Sequence, residues 1–153
     1  MTRLRAGLRI IKSLSFVVVG TPKPQPRPRA TIRNGRAGVY NPPIADEWKR
    51  AVMVYAWLDN KPCDPFAKQI KVTIHFYLPR PKTLKTVKKW LMREIYHTSK
   101  PDIDNLIKST LDALTDCGMW HDDSQICIIE ATKMYESKPD GSGAYIIIEE
   151  IEV

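Results

Sequence analysis

The sequence predicts one α/β (α+β) domain, in which helices pack on a mixed β-sheet of about four strands. Four runs rich in β-branched and aromatic residues are interspersed with two longer segments whose apolar residues recur at helical spacing. The chain has 153 residues, 43% hydrophobic and 27% charged, which is the size and composition of one globular domain. We assign residues 13–153 to this domain and residues 1–12 to an N-terminal basic extension.

The strand predictions rest on residue type and on alternation. Residues 16–19 are β-branched or aromatic and stop at a glycine, which predicts a buried first strand. Apolar and polar residues alternate over 70–78, which predicts a strand with one solvent-facing side. Two later runs, 125–135 and 144–153, are joined by the turn-rich sequence ESKPDGSG, and we expect them to pair as a hairpin.

Helical spacing marks two segments. Residues 46–58 place apolar side chains on one stripe after an acidic first turn, which predicts a packing helix. Residues 103–116 form a second amphipathic segment that ends before Gly118, a residue type common at helix C-termini. The predicted core face of this second helix comprises Ile103, Leu106, Ile107, Thr110, Leu111 and Leu114.

The cysteines, the histidines and the start of the chain exclude several classes. The cysteines are odd in number and lack C-x-x-C spacing, which argues against a disulfide framework or a zinc site and favours a reducing cytoplasm (Cys63, Cys117 and Cys127). The basic and apolar start has no cleavage site for a signal peptide, and no stretch is long enough to span a bilayer. The histidines are scattered singly, so we expect surface or packing roles for His75, His97 and His121.

The charge favours a polyanionic partner, above all nucleic acid. Lys and Arg number 24 against 17 Asp and Glu, a net charge of +7. Residues 21–43 carry six of the twelve prolines and five of these cations, which predicts an extended loop without helix. This loop is a solvated connector, a polyproline ligand for a partner domain, or a basic arm that contacts phosphates through Arg27, Arg29, Arg33 and Arg36. A second basic segment, 79–100, contains Trp90 and Tyr96 and is either solvated or a further nucleic-acid contact.

Acidic residues collect around the second predicted helix. Asp102 and Asp104 stand at its start, where carboxylates commonly cap the free N–H groups of the first turn. Asp104, Lys108 and Asp112 follow at successive i, i+4 steps and form one polar stripe. Capping alone is therefore one explanation of the first two acids.

A second acidic pair suggests a metal site instead. Asp122 and Asp123 follow a glycine turn and lead directly into a predicted strand. If that strand lies beside the helix, one of them can approach Asp102 and Asp104. Converging carboxylates repel each other unless a hard divalent cation such as Mg²⁺ is bound between them. A metal site near basic loops predicts phosphodiester hydrolysis, with Lys108 neutralising charge on the scissile phosphate.

The stretch KPDIDNLIKSTLDALTDCGMWHDDSQI resembles the signature of the RusA-type Holliday junction resolvases, which are small Mg²⁺-dependent endodeoxyribonucleases common in phages and prophages. Its D-x-D-N-L-x-K, D-A-L and D-D-x-Q elements occur in order, and the early Pro/Arg loop is similar as well. The resemblance implies a RusA-like fold with catalytic Asp102, Asp104, Asp123 and Lys108. The three acids would bind Mg²⁺, for which Mn²⁺ could substitute. Asp112 is expected to be structural, and the role of Asp122 is open.

The function implied by the resemblance is resolution of four-way DNA junctions in recombination and repair, by paired symmetric cuts. A homodimer is implied too, because two symmetric incisions require two active sites related by a two-fold axis. Two alternatives remain at this point. One is a nuclease for flaps or other branched DNA, and the other is a non-catalytic DNA-binding protein whose acids only cap a helix.

Overall fold

The structure, a computed structural model, describes residues 7–59 and 64–153. Six strands and three α-helices follow one another in these residues, and the predicted mixed four-stranded sheet with packed helices is confirmed. The elements are β1 (Arg9–Val19), β2 (Arg29–Arg33), β3 (Arg36–Tyr40), α1 (Asp46–Asp59), β4 (Gln69–Leu78), α2 (Val87–Trp90), α3 (Ile103–Asp116), β5 (Ile126–Tyr135) and β6 (Gly143–Glu152).

The main sheet has the strand order β1-β6-β4-β5. β6 pairs antiparallel with both β1 and β4, whereas β5 runs parallel to β4. The expected hairpin between the last two strands is therefore wrong, because β4 lies between them. The three consecutive isoleucines 146–148 are a signal for this, since a strand inside a covered sheet is apolar on both faces.

Helices α1 and α3 pack together on the face of the sheet that carries the apolar residues of β4. The indole N–H of Trp48 donates to Thr110 Oγ1 at 3.1 Å and joins the two helices. Leu106 and Leu114 are fully buried, as the helical stripe predicts. On the opposite face of β4, the polar side chains of His75 and Tyr77 are half-buried rather than exposed, so the predicted solvent-facing side is partly covered.

The first strand is longer than predicted. β1 begins at Arg9, whose guanidinium lies 2.6 Å from a carboxylate oxygen of Glu152 in β6. Residues 9–12, which the sequence places in the N-terminal extension, thus pair with the sheet. Residues 1–6 of that extension and Cys63 lie outside the described residues. Cys117 and Cys127 are free thiols.

The Pro-rich segment contains more structure than an extended loop. β2 and β3 form an antiparallel ribbon whose turn is Asn34–Gly35, both residues having positive φ (51° and 71°). This geometry matches the two-residue turn that Asn-Gly favours in hairpins. Register pairs place Arg29, Arg33 and Arg36 on one face of the ribbon, whereas Ala30, Ile32, Ala37 and Val39 share the other.

One buried side chain organises the second basic segment. Arg80 is 2% exposed, and its guanidinium donates to the carbonyl oxygens of Lys89 and Met92, at 2.8 and 2.7 Å. The guanidinium also stacks over the ring of Trp90, with 4.4 Å to the centroid. Residues 82–92 are therefore folded around the Arg80 side chain and are not a fully solvated loop.

Candidate active site

The two acidic pairs lie at opposite ends of α3. Asp102 is the N-cap residue of this helix and Asp104 belongs to its first turn. Asp123 follows the C-terminal end, in the short turn before β5. β5 begins directly after this turn, at Ile126. At 1.5 Å per residue, Asp104 and Asp116 are about 18 Å apart along the axis.

The expectation that the acids converge within one chain is therefore not met. Over residues 7–59 and 64–153, no three His, Cys, Asp or Glu side chains lie close enough to hold a metal ion. The donor chemistry still fits a hard divalent cation, because two carboxylates stand two residues apart on an exposed helix end. The metal-binding role of Asp102, Asp104 and Asp123 stays a prediction.

Capping does not explain the first acidic pair. Neither Asp102 nor Asp104 makes a side-chain cap hydrogen bond to the first turn of α3. Asp102 accepts instead from Lys100 Nζ at 2.7 Å, and this bond, more than any other cause, lowers the carboxyl pKa. Asp104 is exposed and makes no hydrogen bond or ion pair with the residues that the structure describes. Neither carboxylate is thus used by the helix, since Asp102 is held only by an exposed lysine.

The two residues of the second acidic pair differ, because Asp122 is used in a turn and Asp123 is exposed. Asp122 accepts the Ser124 N–H at 2.8 Å, and this bond lowers its pKa. Gln125 completes a reciprocal cap by accepting the Asp122 N–H at 2.9 Å. Its amide also donates to the Phe66 carbonyl oxygen at 3.0 Å, which fixes the turn to the sheet. The open role of Asp122 is therefore capping, for which D-x-x-Q was the available sequence signal, while Asp123 is exposed.

Lys108 lies between the two pairs. Its Nζ donates to Asp112 Oδ1 at 2.6 Å, and this bond raises the lysine pKa. The negative charges of Asp123 and Asp116 raise it further. Lys108 is therefore electrostatically close to Asp123, and Asp112 holds its ammonium group, while the structural role expected for Asp112 stays a prediction.

Sequence reasoning missed Lys133, which holds the chain just before α3. From β5 its Nζ donates to the carbonyl oxygens of Ser99 and Pro101, both at 2.7 Å. Its charge also lowers the pKa of Asp102. The sequence contains no signal for this, because both of its partners are backbone carbonyls about 30 residues away.

The Pro-rich loop packs against the same end of α3. The Gln25 N–H donates to the Asn105 carbonyl oxygen at 2.9 Å, and Ser109 Oγ donates to the Lys23 carbonyl oxygen at 2.6 Å. Arg27 is close enough to Asp102 for its charge to lower that pKa. Of the four arginines expected to contact DNA, Arg27 therefore lies at the acids, whereas the other three belong to the exposed ribbon.

Comparison with known proteins decides the family. The sequence pattern described as Endodeoxyribonuclease RusA matches residues 20–149. The chain belongs to the RusA family. It is 31% identical over 130 residues to an uncharacterised protein, YqaN, of Bacillus subtilis (strain 168), covering 82% of this chain and 90% of YqaN. It is 35% identical over 83 residues to the crossover junction endodeoxyribonuclease RusA of Lactococcus phage r1t, covering 53% and 58% of the two chains.

Membership of the RusA family makes the protein an endodeoxyribonuclease, an enzyme that acts on DNA. The D-x-D-N-L-x-K, D-A-L and D-D-x-Q elements all lie inside the matched range. In the part of the chain that the structure describes, no helix is long and apolar enough to cross a membrane.

Proposed function

We propose that this RusA-family nuclease is a homodimer that resolves four-way DNA junctions by two symmetric, metal-dependent phosphodiester cleavages. The observation that carries the proposal is the availability of Asp102 and Asp104, which do no capping although both stand at a helix N-terminus. The name of the phage r1t relative supports the substrate. Roles in recombination and repair, in a prophage and in the cytoplasm, are part of the proposal.

Asp102, Asp104 and Asp123 would hold Mg²⁺ or Mn²⁺. When bound, the ion would supply Lewis acidity at the scissile phosphate and a bound water of lowered pKa. Lys108 places a positive charge beside the phosphate, and Asp112 orients that charge. Arg27, Arg29, Arg33 and Arg36 would neutralise phosphates along the flanking strand.

The separation of the acids along α3 supports the dimer. Asp104 lies in the first turn of α3 and Asp123 follows its end, and no three acids in the described residues of one chain come together to hold an ion. In a two-fold dimer, Asp102 and Asp104 of one protomer would meet Asp123 of its partner, and two equivalent sites would result. Each site would then depend on both protomers.

Cleavage of a synthetic four-way junction tests the substrate. In Mg²⁺ or Mn²⁺ the junction should be cut symmetrically in two opposite strands, giving nicked duplexes that ligase seals. A linear duplex of the same sequence, and the junction in EDTA, should stay intact. Equal cutting of flaps and junctions would indicate a general branched-DNA nuclease, and binding without cutting in either metal would exclude the catalytic site proposed here.

Mixing inactive variants tests the shared site. Asp104→Asn and Asp123→Asn are each expected to be inactive as homodimers. After subunit exchange, every heterodimer would have one site with both acids intact, so about a quarter of the wild-type sites should return. Asp102→Asn mixed with Asp104→Asn is the control, and it should recover nothing because both changes affect the same half of the site. No recovery in the first mixture would show that the acids act within one chain.

A further inference from the structure

A cleft of about 760 Å³ opens beside Asp102, between the Pro-rich loop and the chain that leads into α3. Its floor is the end of β4, at Leu78 and Pro79. In the parallel pair β4 and β5, this is the carboxyl edge of the sheet, where α/β folds commonly bind ligands. The volume lies within the range of pockets that enclose a small organic ligand.

The lining of the cleft combines flat apolar walls with a cationic rim. Proline rings of residues 22, 24 and 101 form apolar walls. Lys23, Arg27 and Lys100 supply three positive charges, against the single carboxylate of Asp102. Such a lining suits a ligand with a planar apolar face and an attached anion.

Two enclosed polar atoms in the walls lack a partner among the described residues. They are Oε1 of Gln25 and Nδ1 of His97. His97 is only 9% exposed, and burial is the main cause that lowers its pKa, so the ring is neutral and offers one donor and one acceptor. Buried polar groups are normally hydrogen-bonded, and exceptions in a cleft point to a missing partner.

We propose that the cleft binds one unstacked nucleotide of the cleaved strand, adjacent to the scissile phosphate, and that Gln25 and His97 contact the edge of its base. This inference rests on the proposed function. The volume accommodates a single unstacked base, and unstacking costs least where stacking is already interrupted, as at a branch point. Its phosphate would meet Lys23, Arg27 and Lys100 while its base lies between the proline rings.

The binding step can be measured without cleavage. In EDTA, 2-aminopurine is placed singly at each position around the branch point of the junction. With the wild-type protein, fluorescence should rise severalfold at one position next to the cut, because that base becomes unstacked. Gln25→Leu and His97→Phe should remove most of the rise. Gln69→Leu, an exposed glutamine at the opposite end of β4, is the matched control and should keep it.

A change in the DNA substrate tests the same site without altering the protein, so poor folding of a variant cannot explain the result. An abasic residue at the responsive position should slow wild-type cleavage about tenfold, whereas Gln25→Leu should cut intact and abasic junctions at equal rates, because the lost contacts are shared. If the junction is bound and cut but no position responds, or if the abasic junction is cut at the normal rate, the nucleotide site is refuted while the nuclease proposal stands. Failure to bind or cut any junction would refute the proposed function itself.

Discussion

Nζ of Lys108 lies 2.6 Å from Oδ1 of Asp112, one turn further along α3. This bond draws the ammonium group towards the C-terminal half of the helix, where Asp116 and Asp123 add to the field. The lysine therefore stands within electrostatic reach of Asp123. A substrate phosphate that reaches Asp123 would also reach Lys108.

Replacing Lys108 should remove most activity. Lys108→Met is expected to slow junction cleavage by about 100-fold or more, the scale for losing one charge-stabilising group. Lys108→Arg should recover little, since a planar fork does not occupy the place of a compact ammonium. Single-turnover rates with saturating protein measure this loss. Near-normal rates for Lys108→Met would remove the lysine from the chemistry.

Asp112→Asn should change stability by only a few tenths of a kcal/mol, as for other exposed i, i+4 pairs, while slowing cleavage several-fold. The pKa of Lys108 is raised, so the pair stabilises the fold fully below the ordinary lysine pKa and loses this effect as pH rises through the folded pKa. Urea midpoints of the variant and the wild type should therefore differ equally at pH 6 and pH 9, and converge at strongly alkaline pH. A difference that disappears near neutral pH would contradict this assignment.

The three proposed metal ligands should respond alike. Asp102→Asn, Asp104→Asn and Asp123→Asn should each abolish cleavage and leave junction binding unchanged or tighter, because removing negative charge favours phosphate approach. Asp122→Asn is the control next in sequence, and it should stay active since asparagine caps as well as aspartate does. Gel-shift titration and strand-cleavage assays separate the two effects. Full activity in any of the three variants would exclude that residue.

Lys133 should affect the cleavage rate by positioning the start of α3. Lys133→Met leaves the carbonyl oxygens of Ser99 and Pro101 without their donor, so the start of α3 should shift and cleavage should fall about tenfold. Lys133→Arg, which can still donate to both, should recover part of the rate. Saturating binding of the junction should be unaffected in both variants. If Lys133→Arg is no faster than Lys133→Met, the hydrogen bonds to Ser99 and Pro101 do not determine the cleavage rate.

The ribbon arginines should govern salt dependence. Log affinity falls linearly with log salt, with a slope of roughly −0.9 per phosphate contact. Changing Arg29, Arg33 and Arg36 together to Gln should remove about three such contacts and make the slope correspondingly less steep. Arg50→Gln on α1 is the control and should leave the slope unchanged. The single-turnover rate on bound junction should also be unchanged, because these side chains are proposed to contact phosphates and to take no part in the chemistry. A slope equal to wild type would mean that the ribbon does not contact phosphate.

Gly143 is a packing requirement of the sheet. A Cβ there would lie 2.1 Å from the Val18 carbonyl oxygen, so Gly143→Ala must shift β1 or β6. We expect a loss of about 1–3 kcal/mol in the free energy of unfolding. Gly38→Ala in the ribbon is the control, since its new Cβ would meet only a methyl group at 3.8 Å. Chemical denaturation of both variants measures the difference.

Local signals predicted the elements, whereas their arrangement depended on distant contacts. The spacing over 103–116 and the glycine after it gave α3 the bounds that the structure shows. The Asn34–Gly35 turn was a readable signal for the ribbon, but the surrounding prolines and arginines obscured it. The order β1-β6-β4-β5 cannot be deduced from neighbouring segments, because the strand that separates β5 from β6 comes much earlier in the chain.

The position of β6 inside the main sheet also determines when that sheet can fold. β6 is the last strand along the chain, yet it alone joins β1 to β4 within the main sheet. A nascent polypeptide that still lacks residues 143–152 has β1 on one side and β4, β5 and α3 on the other, with no backbone pairing between them. Such long-range pairing makes folding slow and concentrates it after synthesis of this strand. A chain without β6 therefore cannot assemble the sheet on which α3 and its acids are held.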